Sequence, residues 1–287
     1  MTFKLMTDSA ADLNEDWINA YAIFRLGLTV EMDGNVYETF GDSALTTDFL
    51  LNQMKTGSQP KTSQVNVGQF EEAFRAFAKE DEEVLYISLS SALSGTYNSA
   101  LMARDMVLED YPDAKITIID SLLAAGGQGL LVLMAAEARA KGFSLDQTET
   151  LIRDSQSRLR AYFLVDDLFH LMRGGRVSKG AAILGSLASI KPLLKIAGDG
   201  QLTPIAKIKG RKKAKKELMQ LALSDLSDKR LVVAYNGTAD RANELKEELL
   251  AETEVSQVLL LPIGPVISAH LGTDVLAVFV IGKEPRQ

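Results

Sequence analysis

The stretch Glu83 to Ala100, EVLYISLSSALSGTYNSA, constrains the fold more than any other part of the chain. Val84 to Ser88 is a β-branched and aromatic run with the character of a buried strand. Ser90, Ser91, Ala92, Leu93, Ser94, Gly95 and Thr96 are too small and too polar to extend a sheet. Beyond them Tyr97, Ala100, Leu101, Arg104 and Val107 recur at helical spacing. A strand, a hydroxyl-rich turn and a helix start bring side-chain oxygens and unpaired backbone N–H groups together. That geometry binds anions at a helix N-terminus, so the expected ligand carries a carboxylate or a phosphate.

The surrounding pattern extends this unit into an α/β fold. Phe3 to Thr7 reads as a strand, and Asp8-Ser9 as the cap of a helix with Leu13, Trp17 and Ile18 on one face. Ile23 to Val30 reads as one strand, turned at Met32-Asp33-Gly34-Asn35 into Val36-Tyr37-Glu38. Thr46 to Asp48 caps a helix that Gly57 stops, and Gln59 to Gln64 reads as an extended polar loop. Val67 to Lys79 is helical, Lys115 to Asp120 a strand, and Ala125 opens a helix rich in small residues. This alternation predicts βαβ units on a parallel sheet. Near Arg160 the pattern changes. Leu193 to Ile196 and Leu202 to Ile208 form a hairpin around Gly198-Asp199-Gly200. Helices are expected over Gly180 to Ile190, Lys212 to Leu223 and Ala239 to Leu250, and a tight turn over Gly264 to Ala269. Two domains follow, 1–160 and 161–287, the second with a mixed sheet; 287 residues suffice for both.

Several function classes are disfavoured. With no cysteine there is no thiol chemistry or disulfide framework, which fits a reducing, cytoplasmic setting. The first residues lack the basic and apolar segments of a signal peptide, and no stretch approaches the ~20 apolar residues of a membrane span. A net charge of −7 argues against general nucleic-acid binding. Gly126-Gly127-Gln128-Gly129 lacks dinucleotide-binding spacing, and close helix–sheet packing is the simpler reading. No Walker A motif is present. Two histidines without cysteine make a metal site an unfavourable reading. His170, between Leu168 and Leu171, reads as a packed helix residue; His270 is open between local structure and function.

Ser94 is a candidate ligand for the anion, with capping of the following helix as the simple alternative. A nucleophilic role is weaker because the GxSxG elbow is missing. Lys207, Lys209, Arg211, Lys212, Lys213, Lys215 and Lys216 form a basic run over a helix start, where cations oppose the helix dipole. A partner or bound anion is the expected compensation. Arg173-Gly174-Gly175-Arg176 is a second candidate anion clamp.

In order and spacing, the chain resembles the DegV family of bacterial fatty-acid-binding proteins. The similar segments are Thr7-Asp8-Ser9 with Asp12-Leu13, Lys61-Thr62-Ser63-Gln64, Ser90 to Ala100, Asp120-Ser121 with Gly127-Gln128-Gly129, Arg173 to Ser178, and Gly264-Pro265-Val266 to His270. Val65-Asn66 and Leu271-Gly272-Thr273-Asp274 depart from the family pattern, and Asp274 sets a negative charge near His270. The resemblance implies an N-terminal three-layer α/β/α domain with a mainly parallel sheet and a C-terminal two-layer α/β domain. It further implies a long-chain fatty acid in a buried tunnel, its carboxylate held by Thr62, Ser94, Gly95 and His270. Arg173, Arg176, Arg211 and Lys212 would then face a partner or anion. On this reading neutral hydroxyls and N–H groups hold the carboxylate without a fixed cation.

The implied partner is a separate ATP-dependent fatty acid kinase that phosphorylates the bound acid for phospholipid synthesis. The chain itself would be a monomeric carrier without cofactor, making no nucleic-acid contact and at most transient contact with a membrane surface. Burying a 16-carbon chain would supply about 12 kcal/mol of gross transfer energy, before binding costs. The small-residue helix Ala181 to Ile190 would leave it room. The alternatives are an acyl hydrolase or transferase using Ser94 with His270 as base, and a binder of another amphipathic anion such as a phosphorylated lipid.

Overall fold

The computed structural model describes residues 3–166, 168–177 and 189–286. Strands β1 (Lys4–Asp8), β2 (Phe24–Leu26), β6 (Val84–Ser88) and β7 (Ile116–Asp120) form a four-stranded sheet in the order β2-β1-β6-β7. All three pairings in it are parallel. Parallel neighbours require crossovers, and helices supply them. These are α3 (Val67–Lys79) before β6, and α4 (Thr96–Asp110) between β6 and β7. All five residues of β6 are buried, as its unbroken apolar run requires for a strand covered on both faces. Helix α3 starts on a capping box between Asn66 and Gln69 and buries Phe70 and Phe74.

After β7 come α5 (Ala125–Ala140), α6 (Leu145–Arg158) and the second sheet. Its strands are β8 (Leu159–Leu164), β9 (Ile190–Ile196), β10 (Leu202–Lys209), β11 (Arg230–Tyr235), β12 (Gln257–Pro262) and β13 (Leu276–Ile281). They run β10-β9-β8-β13-β11-β12, antiparallel except for β11 with β12. One face is covered by α8 (Arg211–Leu223) and α9 (Asp240–Leu250) through Leu218, Leu245 and Leu249. The other face meets α5. A Cβ on Gly126 would come within 2.8 Å of Val232, and one on Gly127 within 2.8 Å of Phe279. These glycines therefore serve close packing of α5 against the second sheet. One apolar core runs from Phe3 and Tyr86 through α5 to Phe163 and Phe279, continuous across residue 160.

Four stretches differ from the sequence-based expectation. The helix capped by Asp8 is a single 3-10 turn, Ser9–Ala11, closed by Asp12 in the left-handed region at φ 51°. Asn14 then caps a separate α1 (Glu15–Ala20). Ile23 to Val30 is two strands, because Gly27-Leu28 turns the chain from β2 into β3 (Thr29–Met32) of another sheet. The loop Gln59 to Gln64 contains β5 (Lys61–Ser63), which completes a three-stranded antiparallel sheet with β3 and β4 (Asn35–Glu38). Backbone pairing, rather than any apolar pattern, makes β5 a strand. Gly264 to Ala269 opens α10 (Pro265–Leu271), with proline at its first position. The helix expected over Gly180 to Ile190 lies outside the described residues except at its end, where Ile190 begins β9. Among the described residues no helix is long and apolar enough to cross a membrane.

Candidate functional site

The turn after β6 is fixed from below by a buried carboxylate. Asp8 accepts hydrogen bonds from the Tyr86 hydroxyl (2.7 Å), the Leu89 amide (2.9 Å) and the Ala10 amide (3.1 Å). Burial nevertheless pushes its pKa up. Ser90 is buried and donates to the Gly200 carbonyl at 3.0 Å, tying the turn to the β9–β10 hairpin. The Ser91 amide donates to Asp120 Oδ1 at 3.2 Å. Two of the three serines therefore organise the turn itself. Ser94 shares a 2.9 Å hydrogen bond with Thr96 Oγ1 and accepts from the Thr96 amide at 3.3 Å. Gly95 caps α4 without a side chain, which lets Gln64 lie directly over it and donate to Ser99 Oγ at 2.7 Å.

Thr62 on β5 and His270 on α10 meet at 2.8 Å between Oγ1 and Nε2. The three-stranded sheet and α10 create this meeting, since Val30, Met32 and Ala269 share one small core with α2 (Thr47–Lys55). Burial, with Arg176, Arg173 and His170 adding positive charge, lowers His270 to about 4. The imidazole is thus neutral at pH 7.

Thr62, Ser94 and His270 line one cavity together with Arg176. The other walls are apolar and include Leu28, Leu89, Phe163, Ile196, Ile267 and Leu271. Its volume is about 60 Å³. Arg176, expected to face a partner or an anion, adds a guanidinium to this cavity and donates to the Leu93 carbonyl at 3.1 Å and to the Gly174 carbonyl. The turn at Gly174-Gly175 after α7 (Phe169–Arg173) brings it there. Arg173 reaches the Pro60 carbonyl at 3.4 Å and sits 5.8 Å over the Phe169 ring. Burial lowers the pKa of both arginines. Ser178 lies outside the described residues.

The remaining candidates sit elsewhere. Arg211 and Lys212 line a separate open groove beside α8. Arg211 is ion-paired with Asp166, which also holds Lys191 at 2.9 Å. Lys215 binds Glu244 and Glu248 at 2.7 and 2.8 Å. The chain's own carboxylates thus meet part of the basic run, and Lys212 remains exposed. His170 is half-buried on α7 with its ring against Phe169. Asp274, expected to place negative charge near the headgroup, is instead ion-paired with Arg241. Among the described residues no His, Cys, Asp and Glu cluster could hold a metal ion.

The residues missed by sequence reasoning are Gln64, whose side chain braces the start of α4, and Asp8 as organiser of the turn. Each lay in a quoted motif, but the distant partner that defines its role was invisible. The structure is matched by known proteins along its whole length. The model of the DegV family, described as uncharacterised protein, matches residues 2–283. A DegV domain-containing protein of Streptococcus pyogenes serotype M1 is 56% identical over 286 residues, covering 100% of both chains. The solved structure of DegV, a fatty acid binding protein from Bacillus subtilis, superposes with a TM-score of 0.84. It is 30% identical and covers 99% of this chain and 100% of that one. A fatty acid binding DegV family protein from Streptococcus agalactiae gives a TM-score of 0.86 at 27% identity, with 99% and 100% coverage.

Proposed function

The chain belongs to the DegV family, and we propose that its cavity binds a long-chain fatty acid with the carboxylate at Thr62, Ser94, Gly95 and His270. The observation that carries this reading is the composition of one cavity. Two hydroxyls, a neutral imidazole and a guanidinium line it together with aliphatic and aromatic side chains. Solved relatives with the same fold bind fatty acids, which supports the same ligand class here.

The chemistry suits a carboxylate. Arg176 supplies a charge-assisted donor, and Thr62 and Ser94 supply neutral ones. His270, neutral alone, gains a proton more readily once an anion lies beside it. The cavity of about 60 Å³ holds only a few water-sized groups at ~10–15 Å³ each.

Delivery of the bound acid to a separate ATP-dependent kinase, giving an acyl phosphate for phospholipid synthesis, is part of the same proposal. So are a cytoplasmic, monomeric carrier without cofactor and a domain boundary near residue 160. Lys212, exposed on α8, is the candidate partner contact. Hydrolase chemistry is the weaker reading. Ser94 bonds Thr96 and His270 bonds Thr62, so the two do not form a nucleophile–base pair.

Native mass spectrometry of the purified full chain, followed by denaturing extraction, tests the ligand. A stoichiometric adduct released as a long-chain fatty acid is expected. A chain that stays empty when incubated with palmitate or oleate would overturn the reading.

A further inference from the structure

The tail beyond β13 closes a second cavity that the fatty-acid reading does not use. It measures about 230 Å³, and its lining includes Arg160, Tyr162, Lys195, Glu284 and Arg286. The strands dictate much of this. Arg160 and Tyr162 stand two residues apart on β8 and so share a face of the sheet. Lys195 is the direct cross-strand partner of Tyr162 and emerges on that same face. Arg286 comes from the tail, where its guanidinium donates to the Leu122 and Gln156 carbonyls at 3.2 Å each.

Three cations thus border a space whose lining contains one carboxylate, that of Glu284. Arg160 is largely committed, through an ion pair with Asp225 and donations to the Arg158 and Glu284 carbonyls. Arg286 likewise donates to two carbonyls through its terminal nitrogens. Among the described residues the Lys195 ammonium has no ion pair or hydrogen bond, and the Tyr162 hydroxyl has no hydrogen bond. Like charges bordering one space are costly, and an oxyanion between them relieves this. The lowering of Arg286 to about 10 has the same origin: burial first, then the neighbouring Arg160 charge, with Asp120 and Asp199 opposing.

We infer that this cavity is a binding site for a small phosphate-class anion, taken by Lys195 Nζ and the Tyr162 hydroxyl beside the Arg160 and Arg286 guanidinium charges. Donors on two strands flanked by two guanidinium groups suit a multiply charged oxyanion. At ~10–15 Å³ per water-sized group, the volume accommodates a phosphate together with a small organic substituent. Inorganic phosphate and a phosphomonoester present the same oxygens. The site is independent of whatever fills the apolar cavity, although Ile196 contributes to both walls.

Calorimetric titration of the full chain with inorganic phosphate and with glycerol 3-phosphate tests this. Saturable one-to-one binding is expected, weakened about tenfold or more in Lys195→Met and in Tyr162→Phe/Lys195→Met. It should be unchanged in Lys213→Met, which alters the exposed face of α8 instead. Thermal unfolding of each variant identifies any loss that comes from misfolding, and Tyr162→Phe alone then serves as the least perturbing variant. Tighter binding of glycerol 3-phosphate would assign a phosphomonoester, and equal binding inorganic phosphate. The inference falls if neither probe binds saturably, if binding survives Lys195→Met undiminished, or if Lys213→Met weakens it as much.

Discussion

Thr62 Oγ1 lies 2.8 Å from His270 Nε2, although 208 residues separate the two in the chain. The contact joins an edge of the small antiparallel sheet to the last turn of α10, at the polar part of the apolar cavity. Losing one hydrogen bond of this kind costs about 1 kcal/mol, and one to a charged ligand about 1.5–3 kcal/mol. Thr62→Val should therefore weaken fatty acid binding about five- to tenfold or more, measured by displacement of a fluorescent fatty acid. The fold should survive, because valine fills the same volume on β5.

His270 also sets an acid limit on stability. Its pKa falls from 6.5 to about 4 on folding, so between these values the unfolded chain binds a proton that the folded chain refuses. Stability is therefore complete above the unfolded value, declines as pH falls through this window, and stays reduced below about 4. The decline is on the order of 3 kcal/mol. Urea unfolding across that range should show this slope in the wild type and lose it in His270→Gln. Added fatty acid should raise the imidazole pKa, observed by NMR, because an anion beside the ring favours its charged form.

Two adjacent glycines should respond differently to alanine. A Cβ on Gly174 would stand 2.5 Å from His270 Nδ1. Gly174→Ala must move the imidazole, so fatty acid retention should fall together with a stability loss of about 1–3 kcal/mol. Gly175 has open space around it but a φ of +74°. Its alanine variant should lose about 1 kcal/mol to backbone strain and keep its ligand affinity.

Asp12 is a half-buried residue whose carboxylate oxygens are withdrawn from water and have no hydrogen-bond partner among the described residues, and burial, with the nearby Asp8 charge adding to it, raises its pKa well above 3.8. For an acid raised in this way, stability is lost as pH rises through the unfolded value. Asp12→Asn keeps the shape and tolerates the left-handed backbone at φ 51°. It should stabilise the chain by about 1–2 kcal/mol near neutral pH, with little gain in acid. Thermal unfolding at both pH values checks this.

If α8 presents the kinase contact, Lys212→Ala should lower phosphorylation of the bound acid in a reconstituted assay while fatty acid occupancy stays unchanged. Loss of bound lipid would instead mean that α8 supports the cavity. Lys212 is preferred to Arg211 here because the Arg211 guanidinium is already committed to Asp166.

Local chemistry made much of this protein legible in its sequence. The run Val84–Ser88, the helix Val67–Lys79 with its Asn66 cap, and the hairpin turn at Asp33-Gly34 each follow from a few consecutive residues. The alternation of such units defines an α/β fold with one parallel and one mixed sheet, as the structure has it. The motifs around Thr62, Ser94 and His270 were also readable one by one.

What the sequence could not supply was adjacency. Strand β5 has no apolar pattern and exists because β3 pairs with it. Arg176 reads in the sequence only as half of an anion clamp, and the Gly174-Gly175 turn is what sets it in the cavity wall. Asp274 looks like a charge beside His270 until Arg241 takes it. In each case the nearest residues in the chain say little, because a side chain's role is set by the field and the partners it meets after folding. Propensity and capping act over a few residues, whereas burial, pairing and cavity formation act between segments that only the tertiary structure brings together.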